Sequence, residues 1–529
     1  MKTRKLLPIA IIAALSVLLL TTAVFADGGG LWLSAGHDRN NTRSQDTETK
    51  IKPSNVANLV PLWTITTGDG PGGARDDVSA TPAVDGEYVY FPDWSGNLFK
   101  ADRRTGAVIW KHQISEYTGI PGDFSRATPA IYNDLLIFGT QSGQLPNPSP
   151  AHVVAVNRST GNALWVTQAD DNFASIVTQS ASVFDNRVYV GVASYEEVLA
   201  AFIPGYQCCQ FRGSMMSLNA GTGQILWKTY MAPQGYSGNA VWGSSPVVDT
   251  KRGSIYIGTG NNYSVPADVL ACVGATNDPD EQRACLSPDD HYDAIVALDW
   301  KTGQVKWSTA AIPFDAWTVG CLDLGLPEQN CPEPQGPDFD FGQAPILFKA
   351  GQGSNRQELL GIGQKSGQFW ALNPDTGSVV WTTQVSPGGV IGGMIWGSAY
   401  DGTYIYTSGA NSERKPWTLA NGTVTNSGIW SALDPLTGQI VWETANPTPF
   451  APAGGAATVA NGVVYACSLD SAGHMYAMDA HTGAILWDFA SGGSCNAGAA
   501  VVNGVVYWGS GYNSFGTGND KFYAFGLSK

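Results

Sequence analysis

The fold of this chain is decided by the stretch Ala297-Leu298-Asp299-Trp300-Lys301-Thr302-Gly303-Gln304-Val305-Lys306-Trp307. Its pattern is Ala-Leu-Asp, two free residues, Thr-Gly, three free residues and Trp. The pattern predicts a hairpin, because a short Asp side chain accepts hydrogen bonds from the turn backbone and Gly adopts the positive φ that closes the turn. The Trp on the second strand buries a large apolar surface and keeps an N–H for a fixed partner.

The same pattern recurs along the chain. Its seven copies end at Trp110, Trp165, Trp227, Trp307, Trp381, Trp442 and Trp487. Trp442 and Trp487 are 45 positions apart, which is about the length of one four-stranded propeller blade. The repeat therefore predicts an all-β propeller.

An eighth unit is divided between the two ends of the chain. Residues 62–65 match the Trp strand without its turn, and residues 521–525 match the strand before the turn without its Trp. Pairing these strands would close a ring and remove two exposed sheet edges. We therefore predict a single eight-bladed β-propeller domain with tryptophan-docking motifs over residues 61–529, preceded by an extension at 27–60. An open solenoid of the same repeat is the alternative.

Residues 1–26 have the pattern of an export signal. A positively charged start is followed by an apolar run over residues 6–20 and by a small-residue cleavage site at Val24-Phe25-Ala26. An uncleaved membrane anchor is the alternative. We expect a periplasmic or secreted protein with no membrane span after signal cleavage.

The charge and the cysteines limit the partners and the compartment. The formal net charge of −15 disfavours nucleic acid and is compatible with a basic protein partner, although a solvated acidic surface also explains it. An even count of eight cysteines in an exported chain suggests disulfides, with their connectivity open. No Cys-x-x-Cys-His motif occurs, so no covalently attached haem is expected.

Cys208 and Cys209 are neighbours in the sequence. The Cα atoms of adjacent residues lie about 3.8 Å apart, below the usual range for a disulfide. A bond between them would close a strained ring, and strain of this kind tends to persist at functional sites. The alternatives, in which each cysteine bonds elsewhere or stays free, remain open at this point.

Two further groups of residues suggest ligand binding. Glu196 or Glu197, together with Asn261, offers oxygen ligands for a hard cation, although each is also an ordinary surface or turn residue. Trp242 and Trp396 lie outside the repeat position and each precedes an inner strand. We therefore expect both indoles at the mouth of the central channel, where they suit a flat aromatic ligand. Ordinary core packing is the alternative.

Taken together, these features resemble the pyrroloquinoline-quinone dehydrogenases, a family of eight-bladed propellers with tryptophan-docking motifs. The resemblance covers nearly the whole mature chain and includes an amino-terminal signature that begins at Trp32. Within the family the chain looks most like the polyvinyl-alcohol dehydrogenase branch. The segments that carry this closer match are Tyr195-Glu196-Glu197, Cys208-Cys209-Gln210-Phe211-Arg212-Gly213-Ser214 and Asp315-Ala316-Trp317.

The resemblance implies two cofactors, pyrroloquinoline quinone and Ca²⁺. It implies that Trp242 stacks under the quinone and that Cys208 and Cys209 form a disulfide near its ring. With Trp396 at the channel mouth, the candidate cofactor-binding residues are Arg126, Thr178, Cys208, Cys209, Trp242, Lys365 and Trp396. The implied metal ligands are Glu196 and Asn261.

The chain departs from the family at the catalytic base. In the alcohol dehydrogenases this base is the Asp that follows Trp in an Asp-x-Trp-Asp segment. Here that position holds Thr318, and only the earlier Asp315 remains as a candidate. Asp315 therefore removes the proton in this prediction, unless the base lies elsewhere.

The predicted function is an exported quinoprotein that oxidises alcohols, with secondary or polymeric alcohols among the candidate substrates. It would pass electrons to an external acceptor such as a c-type cytochrome. The alternative is a non-enzymatic propeller scaffold that binds proteins in the cell envelope, because a fold alone does not decide function.

Overall fold

The computed structural model describes residues 30–68, 76–143, 148–325, 330–351 and 353–528. In this part of the chain, the strands form eight antiparallel blade sheets of four or five strands each. The predicted export signal at residues 1–26 lies outside the described residues. In the described part of the chain, no helix is long and apolar enough to cross a membrane.

Each blade runs from an inner strand to an outer strand that carries the repeat Trp. Blade 1 consists of Ala83–Val84, Tyr88–Pro92, Asn97–Asp102 and Val108–Gln113, and blade 2 of Ala130–Tyr132, Leu135–Gly139, His152–Asn157 and Ala163–Gln168. Blade 3 has five strands, Ser175–Ile176, Ser182–Phe184, Arg187–Ser194, Ser214–Asn219 and Ile225–Tyr230. Blade 4 consists of Val247–Asp249, Ser254–Gly258, Ala294–Asp299 and Val305–Ala310. Blade 5 consists of Ile346–Ala350, Gln357–Gly363, Gln368–Leu372 and Val379–Gln384, and blade 6 of Ala399–Tyr400, Ile405–Gly409, Ile429–Leu433 and Ile440–Ala445. Blade 7 consists of Ala453–Ala460, Val463–Ser468, His474–Asp479 and Ile485–Ala490. Blade 8 consists of Ala500–Val502, Val505–Gly509, Lys521–Leu527 and Leu59–Thr66.

The remaining elements are short. Ser44–Gln45 pairs in parallel with the inner strand of blade 7, and two small ribbons pair Ser237–Gly238 with Asn262–Ser264 and Trp417–Thr418 with Val424–Thr425. The α-helices are Ile114–Thr118, Glu196–Phe202, Ala267–Gly274 and Pro279–Ala284, and the 3₁₀ turns are Val56–Asn58, Val319–Cys321 and Gly353–Asn355.

Blade 8 joins the two ends of the chain. Leu59–Thr66 pairs antiparallel with Lys521–Leu527 along its whole length. The predicted eight-bladed ring is therefore confirmed and the open solenoid is excluded. The closing strand begins at Leu59, two residues before the predicted start of the domain, because Leu59 already pairs with Leu527. The Leu59 carbonyl also accepts a 3.0 Å hydrogen bond from Nε1 of Trp487 in blade 7.

The repeat tryptophans connect neighbouring blades. A Cβ on Gly303 would lie 2.5 Å from Cε3 of Trp227 in the preceding blade, and Nε1 of Trp227 donates a 3.2 Å hydrogen bond to the carbonyl of Trp300 in the same turn. Gly303 also has a φ of +74°, a conformation that disfavours any side chain. Glycine is therefore required here both by the turn and by the indole that packs on it.

A threonine two residues after the Trp adds a second bond between blades. The hydroxyl of Thr229 donates a 2.7 Å hydrogen bond to the carbonyl of Gly303. The sequence pattern did not include this position, although Trp-x-Thr recurs. The equivalent donors to the next glycine carbonyl are Thr167, Thr309, Thr383 and Thr444.

Residues 30–58, here called the strap, run along the inner strands of successive blades. The carbonyls of Arg39, Asn40, Thr42 and Arg43 accept hydrogen bonds from the backbone N–H groups of Val248, Leu347, Tyr400 and Val459 in blades 4 to 7. Trp32 exchanges two backbone hydrogen bonds with Val84 of blade 1. The extension is thus part of the ring, because it supplies partners to inner-strand groups that no further strand covers.

The docking geometry predicts the cost of adding a methyl group to a repeat glycine. Gly303→Ala should lower the free energy of unfolding by about 2–4 kcal/mol, because it combines a left-handed alanine with an overpacked indole contact. Gly86→Ala is the matched control, since a Cβ there would meet no atom within 4 Å. Urea unfolding of both variants tests this, and equal stability of the two variants would contradict the proposed role of docking.

Candidate active site

A cavity of about 60 Å³ lies in the central channel of the ring. Four of the predicted cofactor-binding residues line it together: Arg126, Thr178, Trp242 and Trp396. The rings of Trp242 and Trp396 meet edge to face, with centroids 6.3 Å apart and planes at 77°. Within the described part of the chain, the guanidinium of Arg126 has no hydrogen-bond or ion-pair partner. The cavity therefore offers an aromatic wall and an unpaired cation.

A buried group of one cation and two carboxylates lies beside Trp242. Nζ of Lys365 is 2.8 Å from Oδ1 of Asp338 and 2.9 Å from Oδ2 of Asp340, and it lies 5.6 Å from the centroid of the Trp242 ring. Nε1 of Trp242 donates a 3.0 Å hydrogen bond to Asp340. Burial opposes the charge of Lys365, but Asp338 and Asp340 raise its pKa above the ordinary value. Lys365 therefore stays protonated and Asp340 holds the indole in place.

Asn261 is attached to the same group. Its backbone N–H donates a 2.8 Å hydrogen bond to Oδ1 of Asp340. Its side-chain nitrogen donates to the carbonyls of Asn262 and Trp317, both at 2.8 Å. These bonds set the orientation of the amide and leave Oδ1 as an acceptor to which no described residue donates.

The carboxylate of Glu196, the predicted metal ligand, is occupied by hydrogen bonds within the protein. Its carboxylate accepts backbone N–H groups from Gln210 at 2.9 Å and Phe211 at 2.6 Å. It also accepts the hydroxyl of Tyr206 at 2.8 Å and an amide N–H of Asn172 at 3.4 Å. Glu196 thus anchors the loop that carries the adjacent cysteines, and few acceptor positions remain for a cation.

Glu197 is the carboxylate that faces the charged group. Burial, against the attraction of Lys365 and together with the repulsion of Asp340 and Asp315, raises its pKa to about 7. Glu196 and Glu197 are the first two residues of the helix Glu196–Phe202, so their side chains leave the helix in different directions. The structure therefore favours Glu197 over Glu196 for a metal-binding role.

Cys208 and Cys209 are bonded to each other. Cys209 packs on the same hydrophobic cluster of blades 2 and 3 as Trp242. The other bonds are Cys272–Cys285, Cys321–Cys331 and Cys467–Cys495. The adjacent pair is thus packed on this cluster, in a loop that Glu196 anchors.

Asp315 is fully buried and forms a pair with Asp293. One oxygen of Asp315 accepts the N–H of Phe339 at 2.8 Å. Its other oxygen, and both oxygens of Asp293, have no hydrogen-bond donor among the described residues. Burial raises the pKa of Asp315 to about 6 and that of Asp293 well above its ordinary value. At neutral pH the pair therefore retains one proton.

Thr318, which occupies the usual position of the base, has no role in this group. Its hydroxyl donates a 2.9 Å hydrogen bond to the carbonyl of Asn330 and accepts the N–H of Gly320 at 3.2 Å. The amide of Asn330 in turn donates to the carbonyls of Ala200 and Tyr206, at 3.0 and 2.9 Å. Thr318 therefore helps to fasten the 311–340 loop to the helix that carries Glu197.

The sequence interpretation missed three acids of this region. Asp293, Asp338 and Asp340 were not predicted, although Asp338 and Asp340 stand only two positions apart in the sequence. That spacing was a usable signal. The sequence contained no such signal for Asp293, because its spatial neighbour Asp315 is separate from it in sequence and only the fold brings the two together.

The comparisons with known proteins agree with this architecture. The family model described as "Outer membrane protein assembly factor BamB" matches residues 37–145, 62–309 and 365–525. The chain is 32% identical to the polyvinylalcohol dehydrogenase of Sphingopyxis sp. (strain 113P3), over 81% of this chain and 66% of that protein. It is 29% identical to the polyvinylalcohol dehydrogenase of Pseudomonas sp., over 82% and 67%. The chain thus spans about two thirds of these relatives, slightly less for the first.

Solved structures give the same fold. The quinohemoprotein alcohol dehydrogenase ADHIIG of Pseudomonas putida HK5 superposes with a TM-score of 0.70 at 18% identity, covering 94% of this chain and 80% of that one. The repeat, the closed ring and the channel cavity define a propeller of the quinoprotein class. The chain belongs to the pyrroloquinoline-quinone alcohol dehydrogenase family, and the predicted resemblance to its polyvinyl-alcohol dehydrogenase branch is confirmed.

The different tasks of the two glutamates predict opposite effects on stability. Glu196→Gln should lower the free energy of unfolding by about 2 kcal/mol, because charge-assisted bonds to two backbone N–H groups are lost. Glu197→Gln should leave the stability unchanged or raise it, because it removes a buried carboxylate next to other acids. Urea unfolding in the presence of a chelator compares them. A greater loss in Glu197→Gln than in Glu196→Gln would reverse the assignment.

Proposed function

We propose that this protein is an exported quinone-dependent alcohol dehydrogenase that uses pyrroloquinoline quinone and Ca²⁺. The observation that carries the proposal is the meeting, at one end of the channel, of the Trp242 indole, the unpaired guanidinium of Arg126 and the Lys365 group. A protein-binding scaffold has no need of a buried lysine held by two carboxylates beside an indole.

The residues fit a flat anionic quinone. When bound, the quinone supplies an acceptor for hydride from the alcohol carbon. Trp242 would provide the apolar surface on which the rings stack, held by its bond to Asp340. Arg126 and Thr178 would bind carboxylates. Lys365, which remains protonated, would donate a hydrogen bond to a carbonyl oxygen.

The residues also fit a hard cation in part. Among the described residues there is no group of three or more His, Cys, Asp or Glu side chains arranged to hold a metal ion by themselves. The Oδ1 of Asn261, to which no described residue donates, and the carboxylate of Glu197 are the proposed oxygen donors. We propose that they hold Ca²⁺ only when the quinone and water complete the coordination shell.

We propose that Asp315 takes up the hydroxyl proton. With a pKa of about 6 it is ionised at neutral pH and can accept a proton. Asp293, whose pKa is raised well above its ordinary value by burial and by the neighbouring Asp315, keeps its own proton. Because Asp315 is fully buried, the proton would reach it through the neighbouring acidic residues, among them Glu197.

The substrate, the acceptor and the compartment are proposals of the same kind. Secondary or polymeric alcohols are the proposed substrates, since two relatives are named for polyvinyl alcohol. A separate c-type cytochrome is the proposed acceptor, because the chain has no motif for covalent haem. Residues 1–26 support export to the periplasm or the medium.

Reconstitution tests the proposed function. Quinone should bind tightly only with Ca²⁺, and the Ca²⁺ requirement should rise up to tenfold for each pH unit below about 7, because the proton on Glu197 must leave before it binds metal. Trp242→Ala should lose quinone while remaining folded. Trp370→Ala is the control, because Trp370 lies on a strand of blade 5, packs against Phe341 and does not line the cavity.

The scaffold remains the second candidate because Thr318 replaces the usual base and because the matching family model is described as an outer membrane assembly factor. Turnover of any primary, secondary or polymeric alcohol by the reconstituted protein would exclude it. Quinone binding equal with and without Ca²⁺ would remove the metal assignment, and a complete lack of quinone binding would favour the scaffold.

The acceptor is tested by its salt dependence. With a basic cytochrome, turnover should slow as ionic strength rises, because attraction to a chain of net charge −15 is screened over about 8–10 Å at 0.1–0.15 M salt. Turnover with a small neutral dye on the same preparation should hardly change. A cytochrome rate that is flat from low to high salt would show that charge does not guide this partner.

A further inference from the structure

The channel cavity contains a second arginine that the quinone proposal does not use. Arg43, from the strap, lines the same cavity as Arg126, and it is 3% exposed. Its Nε donates to the carbonyl of Ala457 at 2.8 Å, Nη1 to the carbonyl of Ala35 at 2.6 Å and Nη2 to the hydroxyl of Thr81 at 2.9 Å. Three neutral acceptors thus hold the guanidinium inside the ring.

No carboxylate compensates for the charge of Arg43. Burial alone lowers its pKa to about 9, and a guanidinium remains protonated at neutral pH. None of the residues that line the cavity in the described part of the chain is acidic. Two cations therefore share one cavity without a counter-ion, which is costly in a buried position.

Hydroxyl groups add further donors to this cavity. The Thr81 hydroxyl accepts from Arg43, and the Ser180 hydroxyl accepts from the N–H of Thr128 at 2.8 Å. A hydroxyl that has accepted still has its own hydrogen to donate, and neither of these has an acceptor among the described residues. Both line the cavity together with Arg43 and Arg126. The lining is therefore rich in donors and positive in charge.

We propose that this cavity holds a small monovalent anion of the chloride class, bound between Arg43 and Arg126. The anion would be a counter-ion for the strap, and its site would exist only in the closed ring, because Arg43 touches blades 1 and 7. The anion would share Arg126 with the quinone of the proposed function, whereas Arg43 has no part in that proposal and Lys365, Glu197 and Asn261 do not line this cavity.

Bromide is the direct probe of the site. Crystals of the quinone-free protein in sodium bromide should show an anomalous difference peak in the cavity, within hydrogen-bonding distance of a guanidinium nitrogen of Arg43. A cavity without such a peak would overturn the proposal. The quinone-free protein is used so that a carboxylate of the quinone cannot take the place of the anion.

Chloride-dependent stability tests the same site in solution. At constant ionic strength, with gluconate as the replacement anion, the unfolding equilibrium constant should fall about tenfold for each tenfold rise in chloride above the dissociation constant. Arg43→Met should abolish this response. Arg158→Met is the matched control and should keep it, because Arg158 pairs with Asp85 on the rim.

A second variant covers the case in which Arg43→Met fails to fold. Arg126→Met changes a partly exposed residue on the other side of the anion. It should move the chloride response to higher chloride concentrations. An unchanged chloride response in Arg43→Met, or in Arg126→Met if the first variant does not fold, would overturn the proposal.

Discussion

The contact between a repeat tryptophan and the turn of the next blade is the interaction on which the structure depends. It combines a large apolar contact with, in most blades, a hydrogen bond from the indole N–H and a threonine hydroxyl bond to the glycine carbonyl. Because each contact joins one blade to the next, closing the ring gives every blade a neighbour on both sides. The strand pairing of the two chain ends completes that condition.

A closed ring makes a buried charged site possible. Charged groups are costly to bury unless rigid neighbours provide their partners. Lys365 meets this condition with two aspartates, and Asp340 also binds the indole of Trp242 and the backbone of Asn261. The aromatic wall and the charged group are therefore held as a unit, as a preorganised site requires. Any process that opens the ring would expose both together.

The long loop over residues 311–340, which separates the outer strand of blade 4 from the first strand of blade 5, departs from the repeat because it serves the site. The 311–340 loop brings Asp315, Asp338 and Asp340 to the channel, and Asn330 fastens it to the helix that carries Glu197. Of these acids, the sequence predicted only Asp315 as part of the site. Glu196 and Glu197 illustrate why the sequence does not identify the residues of the site. Which of these two side chains faces the charged group depends on the orientation of the helix, and the bonds of Glu196 to Gln210 and Phe211 are made only in the folded loop.

The repeat determined the ring by itself, because each signal lies within eleven residues: an Asp or Asn before a turn, a Gly with positive φ and a Trp on the next strand. Local chemistry of this kind is readable in any copy, and the incomplete copies at the two ends were sufficient to predict closure. The tertiary structure alone decided which charges meet. Asp340 and Trp242 are 98 residues apart, and Arg43 meets Ala457 across 414 residues. Such pairs have no local signature, since their partners come from different blades and are brought together only by the closed ring.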